Sequence, residues 1–115
     1  MKKFGFALLL ALMCVLFLGN TPGKPVVTLT WTETTPGVTF NVYRGATTGV
    51  CNGNPTPFAL GVTALTYDDN TVIAGQAYFY AVSAVKGVES ACSPEAQVSV
   101  PSAPATPGNL QGTTH

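Results

Sequence analysis

The stretch Tyr78-Phe79-Tyr80-Ala81-Val82-Ser83-Ala84-Val85 restricts the fold more than any other part of the chain. Side chains along an extended strand alternate with period two, so Tyr78, Tyr80, Val82 and Ala84 share one face. A face that apolar and that bulky needs a core to enter. Trp31, the single tryptophan, is the one other residue large enough to fill the middle of a small one. Val27-Thr28-Leu29-Thr30-Trp31-Thr32 alternates in the same way, apolar inward and threonine outward, with the β-branched content of a half-exposed antiparallel strand. Val38 to Arg44 alternates again, with Val38, Phe40 and Val42 expected inward and Asn41 and Tyr43 outward. Further strands are expected at Phe58-Ala59-Leu60, Thr63 to Tyr67 and Ala96 to Val100. A two-residue hairpin is expected at Lys86-Gly87. Nothing between Pro25 and Pro101 has helical periodicity. Six or so strands separated by turn signals predict an all-β antiparallel sandwich, not a parallel α/β sheet.

The 115 residues leave room for one domain. Lys2 and Lys3 precede an unbroken apolar run, Phe4 to Leu18, which as a helix would span roughly 22 Å, short of the ~30 Å hydrocarbon core. With the turn-like Gly19-Asn20-Thr21-Pro22-Gly23 behind it, residues 1–21 read as a secretory signal. The cleavage site lacks an Ala-x-Ala triplet, so an uncleaved membrane anchor stands as the alternative. Cys14 follows Met13 rather than a small residue, and reads as an ordinary apolar member of this run rather than a lipidated cysteine. After residue 101, Ser-Ala-Pro-Ala-Thr-Pro-Gly has a linker composition, and 102–115 reads as a linker or the stump of a further module.

Without residues 1–21, three basic side chains (Lys24, Arg44 and Lys86) face five acidic ones (Glu33, Asp68, Asp69, Glu89 and Glu95). No basic cluster exists to engage phosphates, so nucleic acid is disfavoured as a partner. A membrane would be met only through an uncleaved N-terminal segment. Cys51 and Cys92 remain, an even count that suggests a disulfide in an oxidising compartment, with two buried thiols as the alternative.

Leu29-Thr30-Trp31, then Phe40-Asn41-Val42-Tyr43-Arg44-Gly45, then Tyr67-Asp68-Asp69 with Val72 and Gly75-Gln76-Ala77-Tyr78, then Val82-Ser83-Ala84-Val85 and Gly87-Val88-Glu89-Ser90, occur in an order and spacing that resembles a bacterial extracellular fibronectin type III domain. The resemblance runs from about Val26 to Pro101 and implies an immunoglobulin-like antiparallel β-sandwich over residues 25–101. It implies that Tyr78 is the tyrosine-corner residue, its hydroxyl bonded to backbone a few residues upstream. Only 77 residues are available, against roughly 100 for such sandwiches, so the opening strand is expected to be short or missing. The tail Pro107-Gly108-Asn109-Leu110-Gln111-Gly112-Thr113 looks like the start of another such domain, or like the missing edge strand.

The expected core is Trp31, Phe40, Val42, Tyr67, Tyr78, Tyr80 and Val82. A disulfide between Cys51 and Cys92 would require the Gly45–Pro57 connection to fold back over the outer face of the sheet. The sole histidine, His115, is the last residue, which disfavours His-dependent catalysis and His-ligated zinc. Asp68 and Asp69 point to opposite strand faces and cannot work as a facing acid–base pair. They read as solvated turn residues, as do Glu33, Glu89 and Glu95 as isolated ones. No catalytic residues, metal ligands or cofactor are expected. Tyr43, Arg44 and Phe79 are the candidate binding face, unless the Cys51 connection covers it with Phe58 packed there. The expected function is a non-catalytic exported binding or spacer module, presenting loops and a sheet face to an extracellular protein or polysaccharide. The alternative is a small membrane-tethered structural protein of the cell envelope.

Overall fold

The computed structural model describes residues 11–18, 25–102 and 111–112, the first of these as backbone. Among the described residues there are eight strands: β1 (Ala11–Leu18), β2 (Pro25–Thr32), β3 (Thr39–Gly45), β4 (Ala59–Val62), β5 (Thr66–Asp69), β6 (Ala77–Lys86), β7 (Val88–Glu89) and β8 (Ala96–Ser99). One sheet has the order β1-β2-β5. The other has the order β4-β3-β6-β7, with β8 also on β6. Every pairing is antiparallel. The fold is an all-β immunoglobulin-like sandwich.

The core forms where the two alternating faces meet. Val27, Leu29 and Trp31 from β2 pack against Phe40, Val42, Tyr80, Val82, Ala84 and Val98 from the opposite sheet. The Trp31 and Phe40 rings meet edge to face, with centroids 5.3 Å apart, an arrangement their quadrupoles favour. Tyr67 and Tyr78 are half-buried at its margin. The Tyr78 hydroxyl accepts a hydrogen bond from the Ile73 N–H at 3.0 Å, so the tyrosine corner is present with the phenol as acceptor.

Three expectations need correction. The opening strand is neither short nor missing. Ala11–Leu18, inside the apolar run, pairs with the whole of β2 from Ala11↔Thr32 to Leu18↔Pro25. The remainder of the 1–21 segment, residues 103–110 and 113–115 lie outside the described residues. The strand expected at Thr63 to Tyr67 is displaced to Thr66–Asp69, because Trp31 N–H bonds to Leu65 O and fixes where pairing begins. The hairpin turns at Gly87 alone, pairing Lys86 with Val88 and Val85 with Glu89. Gly87 has φ 79°, a conformation glycine adopts without steric cost. A one-residue shift of register moves a side chain to the opposite sheet face. Here it sends Glu89 outward, beside Ser83, rather than inward beside Ala84.

Asp69 is the main departure from the sequence reading. It is 1% exposed, not a solvated turn residue. From β5 it reaches the other sheet: Arg44 Nη1 on β3 donates to Oδ2 at 2.9 Å and the Tyr80 hydroxyl on β6 at 2.6 Å. Thr71 supplies its hydroxyl and its N–H to Oδ1, at 2.7 and 3.0 Å. Burial pushes the Asp69 carboxyl up, but the bonds from Tyr80, Thr71 and Arg44 outweigh it and hold the group below its usual range. Burial, and then the bond to Asp69, push the Tyr80 phenol far above its usual range.

Both shifts set limits on the pH range of stability. A lowered carboxylate pKa means stability that is present above the usual 3.8 and lost as pH falls through the folded value. A raised phenol pKa means stability present below 10.0 and lost as pH rises beyond it. Urea unfolding of Tyr80→Phe at pH 7 is expected to show a loss of about 2 kcal/mol with an unchanged m-value, since a hydrogen bond to a charged group disappears. The variant's stability should also fall less steeply than that of the wild type above pH 10.

Candidate functional site

The outer face of the five-stranded sheet carries Asn41 and Tyr43 on β3, Ser83 on β6 and Glu89 on β7. Glu89 Oε2 accepts from the Tyr43 hydroxyl at 2.5 Å and from Asn41 Nδ2 at 3.2 Å. The Ser83 hydroxyl donates to the same oxygen. These residues are far apart in sequence and meet only because β3, β6 and β7 are neighbours. Burial, followed by the bond and the negative charge of Glu89, raises the Tyr43 phenol above its usual range. A carboxylate oxygen that already accepts three donors is committed to them. It is a structural hub rather than a poised acid or base.

Over this face lies the 46–57 connection, held at three points. Glu95 Oε2 accepts the N–H groups of Gly49 and Val50 at 2.6 and 2.7 Å, a carboxylate seated on two successive backbone amides. Cys51 is joined to Cys92 with Cα atoms 6.6 Å apart, within the usual disulfide range. Phe58 N–H donates to Val42 O at 2.7 Å as the chain enters β4. Gly45 permits the start of this path: a Cβ there would lie 2.9 Å from Val50 Cγ1. Between loop and sheet a concavity of about 460 Å³ remains, bordered by Asn41, Tyr43 and Glu89, the disulfide, and Asn54, Pro55 and Pro57.

The three residues of the candidate binding face are not brought together. Tyr43 is 6% exposed beneath the loop. Phe79 lies on the same face, opposite Gly45 and Gln97, and is half-buried. Arg44 points the other way, between the sheets, because it shares the parity of Val42. Its guanidinium stacks on Phe58 at 4.1 Å and Tyr78 at 5.0 Å while bonding Asp69 and Thr71. Phe58 therefore closes the sandwich edge, edge to face with Tyr67, and does not cover the outer face. Glu89 and Glu95 are not isolated; each gathers groups from distant strands or loops. Glu33 Oε2 accepts from Thr35 N–H at 2.9 Å. Among the described residues no group of three or more His, Cys, Asp or Glu is placed to hold a metal ion.

No protein-family model matches the chain. A solved Fn3-like protein from Clostridium thermocellum is similar at 33% identity and TM-score 0.59, over 81% of this chain and 93% of that one. The chain belongs to the fibronectin type III-like family. The Fn3-like chain also resembles part of an amylopullulanase from Thermoanaerobacter thermohydrosulfuricus, with 39% identity over 77 residues. That match takes in 65% of this chain but spans only 5% of the amylopullulanase.

Three variants separate the supports of the outer face. The Cys51→Ser/Cys92→Ser pair is expected to lose about 4 kcal/mol in the chain-entropy account of a 41-residue separation. Urea unfolding checks this, and increased tyrosine accessibility to iodide should show the loop lifting from Tyr43. Glu89→Ala strands three donors and should cost about 3 kcal/mol, whereas Glu89→Gln keeps an acceptor and should cost less than half of that.

Proposed function

We propose that this Fn3-like chain is an exported, non-catalytic accessory module of the kind embedded in the amylopullulanase, serving as a spacer and as a surface for extracellular polysaccharide or a neighbouring protein domain. The observation that carries the reading is the nature of the shared segment. Likeness to 77 residues amounting to 5% of an enzyme's length is likeness to one module of it, and a sandwich of this kind folds on its own core. The chemistry of the site agrees: the carboxylates of Asp69, Glu89 and Glu95 are engaged in holding sheets and loop together. What the surface offers a ligand is a shallow, uncharged rim of Asn54, Pro55 and Pro57 beside the disulfide. The disulfide favours an oxidising compartment, in keeping with residues 1–21 acting as an export signal that is removed. No helix among the described residues is long and apolar enough to cross a membrane.

Affinity electrophoresis in gels containing pullulan or soluble starch tests the polysaccharide role. The expected result is slower migration than in a polysaccharide-free gel, with bovine albumin as the unaffected standard. Unchanged mobility in both gels would remove polysaccharide as the partner and leave the spacer role. Intact-mass measurement of the protein recovered from the export compartment is expected to show the loss of about 21 N-terminal residues.

A further inference from the structure

The 46–57 connection contains Cys51-Asn52-Gly53-Asn54, in which Asn52, Gly53 and Asn54 are exposed. Asn52 closes a tight turn, its N–H donating to Gly49 O at 3.0 Å. Its side chain folds back along that turn: Nδ2 would lie 2.8 Å from a Cβ on Gly49, so the position suits glycine. Gly53 follows with φ 73°, and beyond its chain neighbours nothing lies within 4 Å of where its Cβ would stand. Among the described residues no hydrogen bond engages the Gly53 N–H or the Asn52 side chain. A primary amide carbon and an unengaged backbone nitrogen thus stand on adjacent residues, and the second has no β-carbon to block their approach.

We propose that Asn52 is a site of spontaneous deamidation, and that the carboxylate it gains loosens the hold of Glu95 on the loop. The Gly53 nitrogen attacks Asn52 Cγ, a C–N bond forms and a five-membered succinimide closes. The Cγ–Nδ2 bond breaks, and ammonia leaves with the proton that the Gly53 nitrogen carried. Water then adds to one of the two ring carbonyls and reopens the ring. Opening at Cγ leaves aspartate; opening at the main-chain carbonyl leaves isoaspartate, whose backbone runs through Cβ and is one carbon longer. No electrons are exchanged, and solvent water is the sole co-reactant. The other described asparagines lack this arrangement. Asn54 precedes Pro55, whose nitrogen has no proton to give up. Asn70 precedes the β-branched Thr71, whose N–H is given to Asp69 Oδ1 at 3.0 Å. Asn41 is buried in β3 with Nδ2 on Glu89.

The position gives the change its consequence. Glu95 Oε2 holds the Gly49 and Val50 N–H groups, and Asn52 Nδ2 lies against that same Gly49. Exchanging the neutral amide for a carboxylate puts two like charges on one turn, which repel. Isoaspartate also lengthens the backbone immediately after Cys51. The disulfide keeps the loop attached, so the result is local opening of the turn and not release of the whole connection.

The test follows the protein through weeks in mildly alkaline buffer, with intact mass and peptide mapping to locate each amide-to-acid conversion. Labelling by an isoaspartyl methyltransferase reports the longer-backbone isomer. Conversion at Asn52 is expected at least about tenfold faster than at Asn41 or Asn70, with isoaspartate present. Asn52→Gln must close a larger ring, and should slow conversion at that position at least about tenfold and remove the methyltransferase signal. Asn52→Asp supplies the charge without the reaction. Its Gly49 and Val50 amides should exchange hydrogen at least about threefold faster than in the wild type, with β3 and β6 amides unchanged. No conversion at Asn52, or equal rates at all three asparagines, overturns the modification site, as does an undiminished methyltransferase signal in Asn52→Gln. Unchanged exchange at Gly49 and Val50, in the aged protein and in Asn52→Asp alike, overturns the loosening of the loop.

Discussion

The bond network around the Asp69 carboxylate ties the two halves of the sandwich together. It receives a guanidinium from β3 and a phenol from β6 while sitting on β5 of the other sheet. Hydrophobic burial alone holds sheets together without fixing how they are aligned, since apolar contact is non-directional. A desolvated charge is different, because only one placement satisfies it. Burying Asp69 is costly, and its bonds offset that cost only when β3, β5 and β6 are in register. The Arg44 guanidinium contributes on two levels, as a donor to Asp69 and as a plate between the Phe58 and Tyr78 rings. Through Phe58 and Tyr67 the same cluster also closes the edge at which β4 leaves the sandwich.

On the far side of the five-stranded sheet, Glu89 performs the equivalent task for the loop-covered face. It gathers Asn41, Tyr43 and Ser83, and the disulfide and Glu95 hold the 46–57 connection down over them. Each acidic group thus fixes one layer boundary. Among the described residues, Arg44, Asp69, Glu89 and Glu95 direct their charges to partners within the domain. The concavity between loop and sheet is then bordered by Asn54, Pro55 and Pro57 beside the disulfide.

Much of this was legible in the amino-acid order, some of it more than was read from it. The strands β2, β3 and β6 announce themselves by clean alternation, and the core positions Trp31, Phe40, Val42, Tyr80 and Val82 are where parity puts them. Parity also contained the Asp69–Arg44 tie. Arg44 follows Val42 by two and Asp69 follows Tyr67 by two, so both share a face with core residues. The usual preference of charged side chains for water obscured this. Alternation reports a face, not whether a counter-charge on another strand waits there.

Glu89 was out of reach for a different reason. Its side depends on whether the hairpin turns on two residues or on Gly87 alone, and local sequence is compatible with both registers. Only the paired sheet, with Tyr43 and Ser83 already in place, decides between them. The apolar run at the start of the chain is similarly ambiguous, since low charge and bulk suit export and strand formation alike; its pairing with β2 is a property of the assembled sheet. Local chemistry therefore determined which segments extend and which faces are apolar, because period-two patterning acts residue by residue. Register, the destinations of Asp69, Glu89 and Glu95 and the covering of the outer face were decided by tertiary structure, because they depend on partners on other strands and loops, 25 positions away for Arg44 and Asp69 and 41 for the disulfide.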